Sequence, residues 1–93
     1  MEVIWSVRAE QCLASIVEFI ARDNVQAALE MDMQLQNVAD GLAIFPYTGK
    51  PGRVPGTREL VAHEYYILVY RLTDNAVHIV TVLHSSMRWP LLS

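Results

Sequence analysis

The chain has 93 residues, of which 53% are hydrophobic and 18% are charged, and its formal net charge is -3. These values describe one compact domain spanning residues 1–93 and exclude a two-domain protein. A single cysteine excludes an intramolecular disulfide, and no apolar run is long enough to cross a membrane, so a cytoplasmic protein without a membrane partner is expected.

The charge is unevenly distributed along the chain. Residues 1–46 carry seven acidic and two basic side chains, whereas residues 47–93 carry three acidic and five basic ones, which gives -5 and +2. A surface built from the C-terminal half is therefore expected to be locally positive. Ordinary solvated charges explain these bases equally well, because a dedicated nucleic-acid surface usually carries more of them. The five bases are Lys50, Arg53, Arg58, Arg71 and Arg88.

Hydrophobic periodicity predicts one strand and two helices in the first half of the chain. Residues 2–6 are predicted to form a short strand anchored by Trp5. Apolar residues recur at helical spacing over residues 7–21 and again over residues 28–45, until Pro46 ends the run. The short polar break between these two apolar stripes predicts an antiparallel helical hairpin.

The second half of the chain is predicted to form a sheet. Residues 46–56 contain three of the four prolines and three of the four glycines, which indicates a loop with no regular element. Three β-rich runs follow over residues 57–62, 65–72 and 76–83, and they are expected to form an antiparallel meander. The predicted fold is α+β with the order β-α-α-β-β-β, in which the hairpin covers one face of the sheet and leaves the other open.

Polar residues on the later strands are the candidates for chemistry. If the strands are neighbours, Arg58, Arg71, His63 and His84 are expected to converge near one end or face of the sheet. A histidine serves as a general acid or base, and an arginine stabilises charge on a phosphate cleaved by a ribose 2′-hydroxyl. Structural roles remain open, because His84 also suits a hydrogen bond to a neighbouring strand and the arginines suit carboxylates or carbonyls.

No metal site or cofactor is expected. His63, His78 and His84 do not stand with cysteines or paired carboxylates at a known ligand spacing. The glycines of residues 49–56 lack the Lys-Ser/Thr ending and the strand-to-helix context of a phosphate loop. Turn chemistry explains these glycines better.

Several segments of the sequence form a recognisable set. They are Trp5, FIARDN at residues 19–24, AA at 27–28, FP at 45–46, GRVPGTREL at 52–60, YILVYRL at 66–72, VLH at 82–84 and WP at 89–90. Together they resemble the RelE/ParE superfamily, the small toxins of bacterial type II toxin-antitoxin pairs. The resemblance implies a twisted antiparallel β-sheet packed by an N-terminal antiparallel helical hairpin, in agreement with the periodicity.

The resemblance also implies one of two cellular targets. Proteins similar to the ParE branch inhibit DNA gyrase, whereas those similar to the RelE branch are mRNA interferases that cut messages on the ribosome. This chain departs from the nuclease pattern, because Ile67 and Met87 stand where that branch carries arginines and Arg88 lies one position further. Growth inhibition through DNA gyrase, without enzymatic activity, is therefore favoured.

Two alternatives to gyrase inhibition stay open. The first is a ribosome-dependent mRNA endoribonuclease with Arg58, Arg71 and His84 as catalytic residues. The second is a weakly active or inactive relative that acts mainly as an antitoxin-binding protein, since the Met87 position is altered.

A cognate antitoxin is the partner that the resemblance implies most directly. Family members are wrapped by an antitoxin segment that lays a helix beside the helical hairpin. Such pairs imply plasmid stabilisation, and the toxin alone is not expected to bind specific DNA sequences. The residues expected to contact antitoxin or target are Trp5, Arg53, Arg58, Arg71, His84, Arg88 and Trp89.

Overall fold

Two helices pack on one sheet in the computed structural model, which describes residues 1–86. The predicted helical hairpin and the three late strands are confirmed, and the fold is α+β. In chain order the elements are β1 (Glu2–Trp5), α1 (Val7–Ala21), α2 (Val25–Gly41), β2 (Lys50–Pro51), β3 (Arg58–His63), β4 (Tyr66–Leu72) and β5 (Ala76–His84).

Local capping sets the start of each helix. The Ser6 hydroxyl accepts a hydrogen bond from the Ala9 N–H at 3.0 Å and donates to the Val80 carbonyl at 2.8 Å, so it begins α1 and ties it to β5. The Asn24 side chain accepts from the Ala27 N–H at 2.9 Å and begins α2. Both side chains satisfy N–H groups that a helix leaves without partners in its first turn.

The second helix is shorter than predicted. It ends at Gly41, whereas the apolar repeat predicted a helix that continues to Phe45. Beyond Gly41 the chain closes into turns, in which the N–H groups of both Ile44 and Phe45 donate to the Gly41 carbonyl at 3.2 and 3.0 Å. The apolar repeat therefore continues past the end of the helix, and its last residue, Phe45, is exposed.

The strand order in the sheet is β1-β5-β4-β3-β2. Strands β3, β4 and β5 form the predicted antiparallel meander, with one irregularity in each pair. The expectation of a fully antiparallel sheet fails for β1, which pairs in parallel with β5. The expectation of no regular element in residues 46–56 also fails, because Lys50 and Pro51 pair with β3. The pairing of β1 with β5 joins segments distant in sequence, which hydrophobic periodicity does not report, and β2 is only two residues long.

The core lies between the hairpin and one face of the sheet. Side chains of a strand alternate between faces, and Leu68 and Tyr70 of β4 share the face that meets Leu35 and Leu42. Small residues at the contact, including Ala9, which is 0% exposed, let the helices approach the strands closely. Tyr70 is the largest fully buried side chain and extends from the core to the loop after α2.

Neither helix in residues 1–86 has the length and apolar character needed to cross a membrane.

Candidate functional site

Strand register decides which of the predicted site residues meet. Arg58 of β3 pairs with Tyr70 of β4, whereas His84 of β5 pairs with Tyr66 at the other end of β4. Tyr66 and Tyr70 are about 13 Å apart at the usual rise of an extended strand. The expected convergence of Arg58 with His84 is therefore not found.

Arg71 lies on the other face of the sheet from Arg58. It follows Tyr70 directly in β4, and successive side chains of a strand point to opposite faces. Its cross-strand neighbour is His78, whose Nε2 atom lies 3.1 Å from the Thr73 hydroxyl. The two arginines therefore do not approach one group from the same side.

Arg58 holds the loop that precedes β2. Its Nε and Nη2 atoms donate to the Gly49 carbonyl at 3.0 and 2.6 Å, and Nη2 lies 3.4 Å from the Tyr47 carbonyl. The guanidinium carbon is 5.3 Å from the centre of the Tyr47 ring, within the range of a cation–π contact. Arg58 thus makes the contacts with carbonyls that were the structural alternative to catalysis.

Tyr70 fixes the same loop from the core. Its hydroxyl donates to the Pro46 carbonyl at 2.7 Å and accepts from the Gly49 N–H at 2.9 Å. A Cβ atom at Gly49 would lie 2.6 Å from this hydroxyl and 2.8 Å from the Glu59 carbonyl oxygen. Only glycine allows this approach, so Gly49 is required for the loop to lie this close to the sheet.

Arg53 is engaged by a buried carboxylate. Its Nε and Nη2 atoms donate to Glu59 at 3.0–3.2 Å, and its backbone N–H donates to the same carboxylate at 2.8 Å. Burial acts to raise the pKa of Glu59, but these hydrogen bonds and the charges of Arg53 and Lys50 lower it below its usual value. Arg53 therefore stabilises the turn before β3.

His84 belongs to an aromatic cluster at the other end of the sheet. Its ring stacks on Tyr65 with centroids 6.0 Å apart and meets Tyr66 edge-on at 5.8 Å, while His63 lies 5.5 Å from Tyr65. The Nδ1 atom of His84 accepts from the Ser86 N–H at 3.1 Å. A proton-transfer role would therefore fall to Nε2, with no arginine of β3 or β4 nearby.

Trp5 lines an open groove on the helical hairpin. The groove has a volume of about 480 Å³. Its apolar part comes from Trp5 and α1, and its polar part contains three carboxylates. Such a surface suits an apolar segment that carries positive charges at its edges. The residues that define this hairpin groove are Trp5, Glu10, Leu13, Ala14, Val17, Glu18, Asp32 and Gln36.

Sequence reasoning missed several residues of these sites. The sequence placed Tyr70 in a predicted strand and Gly49 in a predicted loop. Neither pattern indicated that these two residues contact each other. The carboxylates of the groove contribute to the acidic charge of residues 1–46, but that charge does not show that they lie beside one groove. Their position depends on how α1 and α2 face each other. The ion pair between Glu59 and Arg53 was not predicted.

Some predicted residues lie outside the described part of the chain. Met87, Arg88 and Trp89 follow residue 86. Within residues 1–86, no group of three or more histidine, cysteine or acidic side chains is arranged to hold a metal ion.

The fold places the protein in the class of RelE/ParE-like α+β domains. It superposes on a chain of the chromosomal ParDE toxin-antitoxin system of P. aeruginosa with a TM-score of 0.79 and 19% identity, covering 90% of this chain and 95% of that one. A chain of the RelBE2 toxin-antitoxin complex of Mycobacterium tuberculosis matches with a TM-score of 0.58 and 26% identity, covering 89% and 95%.

Sequence comparison identifies the family within this class. Residues 3–89 match the family described as ParE toxin of type II toxin-antitoxin system, parDE. Toxin RelE2 of Caulobacter vibrioides is 34% identical over 85 residues, which cover 91% of this chain and 96% of that protein. Y4kP of Sinorhizobium fredii, described as a candidate toxin, is 38% identical over 87 residues, which cover 92% and 90%. The chain therefore belongs to the ParE toxin family of type II toxin-antitoxin systems.

Proposed function

We propose that this toxin is neutralised by direct binding of a cognate antitoxin and that it arrests growth by inhibiting DNA gyrase. The observation that carries the choice of target is the separation of Arg58, Arg71 and His84. Arg58 is occupied by loop carbonyls, Arg71 lies on the other face, and His84 lies at the far end of β4. A ribonuclease needs its acid-base and phosphate-binding groups around one scissile bond.

The proposal for the antitoxin rests on the hairpin groove. Its apolar lining favours the apolar face of a helix, and Glu10, Glu18 and Asp32 favour lysine or arginine at the edges of that helix. Solved relatives include a toxin-antitoxin complex, which supports the same kind of partner. The proposed occupant is therefore an amphipathic antitoxin helix with basic residues beside its apolar anchors.

A ribosome-dependent ribonuclease is the second candidate, favoured by one observation. Tyr65, Tyr66, His63 and His84 form an aromatic cluster in which a ring nitrogen accompanies surfaces that stack with bases. This cluster has no arginine of β3 or β4 beside it to stabilise charge at a cleaved phosphate, and Arg88 lies outside the described residues.

Cells that express the protein from a tightly controlled promoter test the choice. Plasmid supercoiling and protein synthesis are followed in parallel during the first minutes of growth arrest. Relaxed plasmid with continuing translation is the expected result. Rapid translation arrest with cut messages and normal supercoiling contradicts gyrase inhibition and favours the ribonuclease.

Neutralisation is tested separately. Ala14 is exposed and lines the hairpin groove, so Ala14→Arg places bulk and positive charge where the antitoxin helix is proposed to lie. The variant is expected to arrest growth like the wild type and to escape rescue by co-expressed cognate antitoxin. Rescue equal to that of the wild type contradicts antitoxin binding in the groove.

A further inference from the structure

A second surface of the molecule is apolar and differs from the hairpin groove. The aromatic loop, defined here as residues 44–47, follows α2 and exposes Ile44, Phe45 and Tyr47 to 74%, 68% and 73%. Single exposed apolar side chains are ordinary on a protein surface, but three within four residues form a patch. Such a patch is a candidate contact site for a partner.

Buried groups hold the backbone of this loop. The Tyr70 hydroxyl binds the Pro46 carbonyl and the Gly49 N–H at 2.7 and 2.9 Å, while Arg58 donates to the Gly49 carbonyl at 2.6 Å. The backbone of the loop is therefore tied to β3 and β4 at Pro46 and Gly49. A surface ordered before binding loses less conformational entropy when a partner docks.

Bases outnumber acids in the sequence around the aromatic loop. Residues 40–59 contain Lys50, Arg53 and Arg58 against Asp40 and Glu59. Arg53 is paired with Glu59, so Lys50 and Arg58 are the cations beside the loop. The hairpin groove is bordered by carboxylates instead. Partners of opposite charge therefore suit these two surfaces.

The two surfaces are also separated in space. Strand β1 supplies Trp5 to the hairpin groove, and β2 directly follows the aromatic loop. These strands are the opposite edges of the five-stranded sheet, about 19 Å apart at the usual spacing between strands. A short segment that binds at the Trp5 end of the groove therefore leaves the aromatic loop accessible.

We propose that the aromatic loop is the surface through which this toxin engages its cellular target, a folded protein with an apolar recess bordered by carboxylates. The inference rests on the proposed function, because it requires a toxin that acts on a protein. A protein recess suits the loop better than a nucleic acid, since Ile44 and Phe45 bury well in an apolar pocket whereas phosphate contacts need more than two cations.

The test compares two triple variants of the full chain. Ile44→Ser, Phe45→Ser and Tyr47→Ser together remove the patch. The matched control replaces Val25, Leu29 and Met33 of α2 by serine, which are 63%, 51% and 63% exposed. The loop variant is expected to need at least about tenfold more protein than the wild type to arrest growth and to inhibit purified DNA gyrase, whereas the control stays within about twofold.

The outcomes separate this inference from the proposed function. A folded loop variant that arrests growth as strongly as the wild type overturns the inference and leaves the proposed function intact. A wild-type chain that arrests no growth contradicts both. Loss of binding to a single-stranded RNA oligonucleotide, with gyrase inhibition unchanged, also overturns the inference and makes the loop a nucleic-acid surface.

A milder pair of variants covers a failure of the triple variant to fold. Phe45→Ser alone removes one exposed ring, and Lys50→Gln removes one exposed charge. Circular dichroism checks that both variants keep the wild-type fold. Each is expected to weaken growth arrest about threefold or more, and wild-type potency in both overturns the inference.

Discussion

Glu59 and Arg53 form an ion pair in which the carboxylate is buried and the guanidinium is partly exposed. The Glu59 side chain is 2% exposed and that of Arg53 is 42% exposed, with Nη2 and Oε1 3.0 Å apart. The Arg53 backbone N–H donates to the same carboxylate at 2.8 Å, so the pair also fixes the turn before β3. A carboxylate that is 2% exposed depends on its partner, because little water can solvate its charge.

Arg53→Ala is expected to lower the free energy of unfolding by about 2 kcal/mol, since it leaves a buried carboxylate with only a backbone donor. Urea denaturation measures the change. Arg71→Ala serves as the control because Arg71 is exposed, and it should change the free energy of unfolding by less than about 0.5 kcal/mol. Equal stabilities for the two variants would show that the pair contributes nothing.

The stability conferred by Glu59 is expected to depend on pH. Its pKa in the folded protein is lowered from the ordinary 4.5, so the unfolded chain binds the proton more readily. The contribution is fully present well above pH 4.5 and is lost as the pH falls through the lower folded pKa.

Denaturation of the wild type and of Glu59→Gln at a series of pH values measures this effect. The wild type should be more stable by about 2 kcal/mol at pH 7, and the difference should shrink in acid. Taking the difference between the free energies of unfolding of the two proteins cancels the contribution of the other carboxylates to the pH dependence. A difference that stays constant down to pH 3 would rule out the lowered pKa as its source.

Gly49→Ala and Gly41→Ala are expected to have opposite effects. The added methyl group at Gly49 meets the Tyr70 hydroxyl at 2.6 Å and a backbone oxygen, and should lower the free energy of unfolding by about 2 kcal/mol. At Gly41, in the last helical position, nothing lies within 4 Å, so alanine should stabilise the protein by up to about 1 kcal/mol. Thermal unfolding of both variants provides the measurement, and a stabilised Gly49→Ala would contradict the close approach.

His84→Ala is expected to keep growth arrest within about twofold of the wild type, because gyrase inhibition needs no general acid or base. The ring stacks on Tyr65 at the surface, so only a small loss of stability accompanies the change. Growth curves at matched protein levels measure the potency. A folded His84→Ala protein that no longer arrests growth, and that leaves intact the messages which the wild type cuts, would instead assign a ribonuclease activity to this histidine.

Neutralising the groove carboxylates is expected to weaken antitoxin binding. Glu10→Gln, Glu18→Gln and Asp32→Asn together should raise the Kd about tenfold, if each charge contributes about 0.5 kcal/mol at the rim of the interface. The effect should fade at high salt, because exposed charges are screened. Isothermal titration calorimetry with the cognate antitoxin measures the Kd at low and at high salt.

The control for this experiment neutralises three acids outside the groove. Glu30→Gln, Asp40→Asn and Glu64→Gln change the net charge by the same amount and are all exposed. Their affinity should match that of the wild type. An equal loss in both triple variants would attribute the effect to overall charge and not to the groove.

The sequence predicted the elements whose signals are local. The first helix occupies the predicted residues, since its apolar repeat and the cap at Ser6 lie within a few residues of each other. The meander followed from three β-rich runs with short connections. The second helix was overextended because an apolar repeat does not show where turns replace helical hydrogen bonds.

The tertiary structure decided which residues meet. Parallel pairing of β1 with β5 joins the two ends of the described chain, and it places Trp5 at one edge of the sheet. Register put Arg58 and His84 at opposite ends of β4, while side-chain alternation put Arg71 on the opposite face. Helical and strand periodicities are properties of neighbouring residues and can be read along the chain. Contacts between different segments arise only when the whole core packs, which is why the hairpin groove, the arrangement of the aromatic loop and the pair between Glu59 and Arg53 could be seen only in the folded protein.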